Sequence, residues 1–114
     1  MDLKNINKII ERFSHEREWE QFHSPKNLVM ALTGEVGELN EIFQWLTEEQ
    51  SKNLTTKTKE HTEEEIADIA IYLLKLCTKL DINLEEAILK KMQKNELKYP
   101  VDKAKGKATK YDSL

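Results

Sequence analysis

Apolar side chains recur every three to four residues along most of this chain, the spacing that places them on one side of an α-helix. In the first segment the stripe consists of Leu3, Ile6, Ile10 and Phe13. Long helices need few sharp turns, and the chain has only 3 Gly and 2 Pro among its 114 residues. The pattern therefore predicts an all-α fold, a bundle of about four helices per subunit.

Capping residues predict where the four helices begin. An N-cap side chain accepts a hydrogen bond from a free backbone N–H of the first turn, and proline is tolerated at the first helical position. We expect the second helix to end near residue 48, residues 50–61 to form a polar loop, the third helix to end near residue 80 and the fourth before Pro100. The predicted caps are Asp2, Ser24 followed by Pro25, Thr62 with Glu65, and Asn83 with Glu86.

The length of the chain suits one compact core, and we expect a single helical domain over residues 1–100. Basic residues accumulate at the end, where five lysines accompany two aspartates from Lys98 onward. Residues 101–114 are therefore expected to be a flexible, lysine-rich tail.

Charge and hydropathy exclude several classes of protein. A net charge of −3 argues against binding to a nucleic-acid backbone. Cys77 is the only cysteine, so the chain has no internal disulfide, and the charged start Met-Asp-Leu-Lys lacks the apolar core of a signal peptide. No apolar run approaches the ~20 residues that span a bilayer. We expect a cytoplasmic protein with no nucleic-acid or membrane partner.

The segment from Ile66 to Leu74 is apolar on nearly every side of its predicted helix. A helix at the surface of a small monomer has a polar face, so another surface is expected to cover this one. Isologous association is the commonest way for identical chains to provide such a cover. We therefore expect a homo-oligomer.

Two pairs of carboxylates lie where apolar side chains are expected. Glu35 interrupts the apolar stripe of the second helix, and Glu38 follows it by three residues on the same face. Glu65 and Asp68 have the same spacing in the third helix. Four carboxylates gathered in a core repel one another and lose hydration, so they must be protonated or bind cations. Oxygen ligands without histidine or cysteine favour Mg²⁺ or Mn²⁺, which commonly complete their shell with substrate phosphate.

Single acids in this set also have ordinary structural explanations. Glu65 is the expected acid of a capping box, and Glu38 is compatible with a solvated helix face. Glu35 and Asp68, however, have no evident basic partner on their own faces. The two pairs together therefore favour a metal site.

The same acids carry a resemblance to a known family. Glu35-Val-Gly-Glu38 and Glu65-Ile-Ala-Asp68 resemble the ExxE…ExxD signature of the MazG-like, all-α nucleoside triphosphate pyrophosphohydrolase superfamily. Longer phrases resemble its dCTP pyrophosphatase branch, and they span residues 19–28, 34–45 and 91–100.

The resemblance implies a tetramer that hydrolyses dCTP to dCMP and pyrophosphate with Mg²⁺, which Mn²⁺ can replace. The implied metal ligands and catalytic residues are Glu35, Glu38, Glu65 and Asp68. The implied nucleotide contacts are Trp19, His23 and Trp45 for the base, and Tyr72, Lys91, Asn95 and Tyr99 in the phosphate region.

Three other functions remain open from the sequence. One is an all-α dUTPase or a broad hydrolase of modified nucleotides, and another is a noncatalytic helical interaction module. The third is a di-iron carboxylate bundle, which normally uses Glu-x-x-His pairs that this chain lacks. The three histidines are expected to fall outside the acidic faces, and they are His15, His23 and His61.

Overall fold

The computed structural model describes residues 1–114, and every regular element is a helix. The α-helices are α1 Leu3–Glu16, α2 Pro25–Phe43, α3 Glu48–Lys52, α4 Thr56–Lys79, α5 Leu84–Lys98 and α6 Val101–Ala104. Short 3-10 helices cover Glu20–Phe22 and Tyr111–Ser113. The predicted all-α class is confirmed. The structure has six α-helices rather than the expected four. The two additional helices, α3 and α6, have 5 and 4 residues and are too short to show a helical repeat in the sequence.

Three of the predicted helix starts are confirmed. Asp2, Ser24 and Asn83 each accept a hydrogen bond from the backbone N–H three residues later. The last long helix ends at Lys98, ahead of Pro100 as predicted.

The connection between α2 and α4 differs from the prediction. Helix α2 ends at Phe43 rather than near residue 48, and much of the expected loop 50–61 is helical. Helix α4 is capped by Thr55, so the predicted cap at Thr62 is wrong. Thr62 is buried inside α4, where its hydroxyl donates to the Thr58 carbonyl at 2.8 Å. Thr55 and Thr62 both have the chemistry of an N-cap, and only the packing of the helix determines which of them serves as the cap.

The chain divides into two compact units, Met1–Asp81 and Ile82–Leu114. In the first unit α4 packs along α2, and α1 packs against α4. The buried apolar side chains are few, namely Leu28, Leu74 and Cys77. A single copy therefore covers little of its apolar surface.

The second unit contains α5, α6 and the last 3-10 helix. Within it the rings of Tyr99 and Tyr111 meet edge to face at 6.2 Å, and the Lys98 ammonium lies 4.6 Å from the Tyr111 ring centroid. The predicted domain limits and the flexibility of residues 101–114 stay predictions. None of the helices combines the length and apolar character that a membrane span requires.

Candidate functional site

Three of the predicted acids come together between α2 and α4. Carboxylate oxygens of Glu35, Glu38 and Glu65 all lie within 4.8 Å of one another. The spacing of three residues puts Glu35 and Glu38 on one face of α2, and the packing of α4 brings Glu65 to that face. Glu65 is buried, Glu35 is partly buried and Glu38 is exposed. We call these three residues the acid cluster.

The electrostatics of the acid cluster are unfavourable without a cation. Burial, then the neighbouring carboxyl groups of Glu38 and Glu65, then the charges of Glu38 and Asp68 raise the pKa of Glu35 to about 7. One oxygen of Glu35 and one of Glu65, each an Oε2, are buried without a hydrogen-bond partner. Such orphaned acceptors are rare in proteins, and they are what a bound cation needs as ligands.

Asp68 lies next to the acid cluster without belonging to it. It stands one turn beyond Glu65 on α4, where it helps to line an apolar cavity. Its negative charge contributes to the raised pKa of Glu35, so Asp68 interacts electrostatically with the acid cluster. The structure thus brings three of the four predicted metal ligands into one group and leaves Asp68 at its edge.

His61 is a neighbour that the sequence analysis misplaced. Its Nε2 lies 3.4 Å from Oε1 of Glu65, one turn away on α4. The prediction that all three histidines fall outside the acidic faces is therefore wrong for His61. Its helical spacing of four from Glu65 was the available signal.

A wide polar cavity opens beside the acid cluster, with a volume of about 630 Å³. Glu38, Glu65 and His61 contribute to its wall, together with Glu41 and Thr58. Carboxylates facing an open, polar space are accessible to water and to a charged ligand. This cavity has room for a phosphate chain brought in with cations.

The second cavity is narrower and mostly apolar, with a volume of about 320 Å³. It lies among α1, the following 3-10 helix region and α4. Three of the predicted nucleotide contacts line it, namely Trp19, His23 and Tyr72, and Asp68 joins them. An apolar cavity with aromatic walls and a few polar groups suits a flat heterocyclic ring.

A local backbone feature directs Trp19 toward this cavity. Glu18 has a φ of 55°, in the left-handed region, and the Trp19 N–H donates to the Ser14 carbonyl at 3.0 Å. This is the Schellman pattern that ends a helix and reverses the chain. It brings the Trp19 ring edge-on to Phe13, with 5.6 Å between centroids. The end of α1 therefore fixes one wall of the cavity.

His23 lies at the other end of that short turn. Its ring meets Trp19 edge-on at 6.5 Å, and its Nδ1 is buried without a hydrogen-bond partner. Burial lowers the pKa of His23, and the positive charges of Lys75 and Lys79 lower it further. A neutral imidazole with a free buried nitrogen is available for a ligand hydrogen bond.

Trp45 and the α5 residues are not among the residues that line either cavity. Trp45 follows the end of α2 and is 85% exposed. Lys91, Asn95 and Tyr99 belong to the second unit, on α5 and just after it. Their nucleotide contacts stay predictions.

The sequence analysis missed two polar residues in the apolar cavity. Lys75 and Ser14 both line it, and the Lys75 ammonium donates to the Ser14 hydroxyl oxygen. The signal was available, because a lysine follows Leu73 and Leu74 in a run of apolar residues in α4. A lysine in such a run is ordinarily a surface residue, and only the packing of α1 against α4 shows that this one is buried.

Comparisons with known proteins show a family and several similar proteins. A model of the MazG-like family matches residues 31–114. The dCTP pyrophosphatase 1 of Bos taurus is 43% identical over 98% of this chain and 68% of its own length, and that of Homo sapiens is 40% identical over 98% and 67%. The crystal structure of a pyrophosphatase from Archaeoglobus fulgidus is similar with a TM-score of 0.83 and 42% identity, covering 88% of this chain and 94% of the other.

Proposed function

This chain belongs to the MazG-like family, and from that premise we propose that it hydrolyses dCTP, or a modified dCTP, to the monophosphate and pyrophosphate. The observation that carries the proposal is the identity of 40–43% to proteins named dCTP pyrophosphatase 1, sustained over 98% of the chain. The geometry supports it, because an acid cluster and an aromatic cavity share Asp68 as their neighbour. A triphosphate and its base need these two environments.

We propose that Glu35, Glu38, Glu65 and Asp68 hold Mg²⁺, which Mn²⁺ can replace. The side chains fit a hard cation, since their donors are carboxylate oxygens and two of these are buried without partners. A cation bound there supplies the positive charge that balances both the acids and the triphosphate. By holding the cation, the four carboxylates would also position the phosphate chain beside the water of the polar cavity.

The reaction joins the oxygen of a water molecule to the α-phosphorus and breaks the bond from that phosphorus to the bridging oxygen. Pyrophosphate leaves with the bridging oxygen. Glu38 is the proposed residue that orients this water and takes its proton to solvent, because it is the exposed member of the acid cluster and borders the polar cavity. Trp19 and His23 are the proposed contacts that enclose the base and exclude water from it. Tyr72, expected from the family resemblance on the phosphate side, lines the same cavity, and we propose that it contacts the nucleotide there.

Residues outside the two cavities enter the proposal through the family resemblance. Lys91, Asn95 and Tyr99 are proposed phosphate-side contacts, and Trp45 is a proposed contact of the base.

We also propose that the protein is a cytoplasmic homotetramer. The exposed apolar side chains support an assembly, since Val36 and Ile66 line an open groove between α2 and α4 and are each about half exposed. Light scattering coupled to size exclusion measures the mass directly. A monomeric mass at micromolar concentration contradicts this part of the proposal.

The test of the reaction uses purified protein with dCTP, 5-methyl-dCTP, dUTP, dTTP and dATP, with Mg²⁺, Mn²⁺ or a chelator. The expected products are a monophosphate and pyrophosphate, formed fastest from a cytosine nucleotide and only with metal. In ¹⁸O-labelled water the label should appear in the monophosphate. Label in pyrophosphate or orthophosphate refutes attack at the α-phosphorus, and faster turnover of dUTP favours the dUTPase alternative. No turnover of any nucleotide, with no stabilisation by Mg²⁺, favours a noncatalytic helical module.

A further inference from the structure

Lys75 is buried, although a buried lysine usually requires a partner of opposite charge. It is 4% exposed, and its neighbours along α4, Leu74 and Cys77, are buried apolar residues. Its ammonium forms no ion pair with any carboxylate. Burial lowers the pKa of Lys75; the more distant negative charges of Glu11 and Glu20 oppose this shift in part, and the charge of Lys79 adds to it. A lysine is rarely buried without a paired charge, because the loss of hydration is costly.

The hydrogen bonding of Lys75 is incomplete. An ammonium group has three donors, and the protein provides one acceptor, the hydroxyl oxygen of Ser14 on α1. Ser14 is itself only 3% exposed, so the pair is held between two packed helices. Two donors of Lys75 remain for water or a ligand in the apolar cavity that both residues line.

The polar groups of this cavity are the donors of Lys75 and Ser14, the Tyr72 hydroxyl, the His23 ring and one carboxylate, that of Asp68, which the proposed function assigns to the metal ion. The Ser14 hydroxyl accepts from Lys75, so its own hydrogen is directed elsewhere and is also available. The buried Nδ1 of His23 adds one group that donates or accepts according to its tautomer. Trp19, Tyr72 and the aliphatic residues supply the flat apolar walls. A ring with hydrogen-bond acceptors on its edge complements this combination.

We infer, on the basis of the proposed function, that Lys75 is a specificity-determining residue that donates a hydrogen bond to an acceptor on the edge of the bound base. The acceptor is a ring carbonyl oxygen or an unprotonated ring nitrogen, and cytosine presents one of each side by side. Ser14 is the positioning residue, since it holds the ammonium group at the cavity wall. Uracil and thymine carry an N–H donor where cytosine carries its unprotonated ring nitrogen, and a donor opposite the ammonium group leaves Lys75 without that acceptor; this penalty is the source of discrimination.

The test compares Lys75→Met with wild type on two substrates. Methionine keeps the length of the side chain and removes its donors, so the cavity keeps its shape. The substrates are dCTP and the triphosphate of deoxyribose without a base, each assayed with Mg²⁺ for kcat and KM separately. We expect kcat/KM for dCTP to fall roughly 10- to 100-fold, chiefly through KM, because a hydrogen bond to a charged donor is lost. The value for the baseless triphosphate should change less than about twofold, because no base is present to accept from Lys75.

Lys79→Met is the matched control, because Lys79 is exposed on the same helix one turn away. It should leave both substrates unchanged. Ser14→Ala should lower kcat/KM for dCTP in the same direction as Lys75→Met but by less. If a thermal melt shows no cooperative unfolding transition for Lys75→Met, Ser14→Ala assayed with the same two substrates tests the inference instead.

Two results overturn the inference while leaving the proposed function standing. One is an equal loss on both substrates, which assigns Lys75 a structural role, and the other is an unchanged kcat/KM for dCTP in both variants. Wild-type protein that hydrolyses no nucleotide refutes the proposed function itself, and this inference with it.

Discussion

Replacement of Glu35 by glutamine should stabilise the protein at neutral pH. The acid cluster raises the pKa of Glu35 from its usual 4.5 to about 7, because burial and neighbouring carboxylates oppose its charge. A raised folded-state pKa makes the folded state bind its proton more tightly than the unfolded state. The contribution of Glu35 to stability is therefore largest below pH 4.5 and is lost as the pH rises toward 7.

The size of the effect follows from the pKa itself. Each pKa unit is worth about 1.4 kcal/mol, so the ionised Glu35 costs the fold about 3 kcal/mol at pH 8 as an upper estimate. Glutamine has nearly the same shape and carries no charge at any pH. The variant should accordingly gain little over wild type near pH 4.5 and up to about 3 kcal/mol at pH 8.

Urea unfolding from pH 4.5 to 8, with a chelator and at one protein concentration, measures this difference. Excess Mg²⁺ should reverse the order, because only wild type keeps the full set of cation ligands. Glu64→Gln, an exposed residue on α4, is the control and should change stability by less than about 0.5 kcal/mol. A Glu35→Gln variant destabilised by the same amount at every pH would falsify the repulsion argument.

Other substitutions test the site, the core and a cap. Glu38→Gln and Asp68→Asn should each abolish pyrophosphate release while thermal melts show a fold as stable as wild type or more so; normal turnover removes that residue from the site. Leu28→Ala should cost about 2–5 kcal/mol in urea unfolding because Leu28 is 1% exposed, and Val29→Ala, at 47% exposure, should cost less than half as much; equal losses contradict the assigned core. Ser24→Ala should cost about 1 kcal/mol through the lost N-cap of α2, and no change in unfolding midpoint argues that the cap is dispensable.

Local chemistry explains which helix starts were predictable. Ser24 is followed by Pro25, a pair that suits a helix start and little else, and the structure confirms it. The polar segment before Thr62 offered several threonines with equal capping chemistry. Thr55 became the cap, and Thr62 bonds to a carbonyl inside the helix instead. Burial of Thr62 depends on contacts with other helices, and no local pattern contains that information.

In the candidate site, too, some features follow from local sequence and others depend on tertiary packing. Spacing alone placed Glu35 and Glu38 on one face, because the helical period fixes that relation for any α-helix. The sequence could not show that Glu65 joins them while Asp68 turns to a different cavity, since the register of α4 against α2 sets both positions.

The sequence by itself determined the all-α class, most of the long helices and the acidic pairs, since periodicity and capping act within a few residues of the chain. Only the tertiary structure decided where the apolar cavity lies and that Lys75 meets Ser14 across 61 positions of sequence. The physical reason is that burial is a property of packed surfaces. A lysine in an apolar run becomes a buried donor only when a second helix covers it and leaves a cavity at its ammonium group.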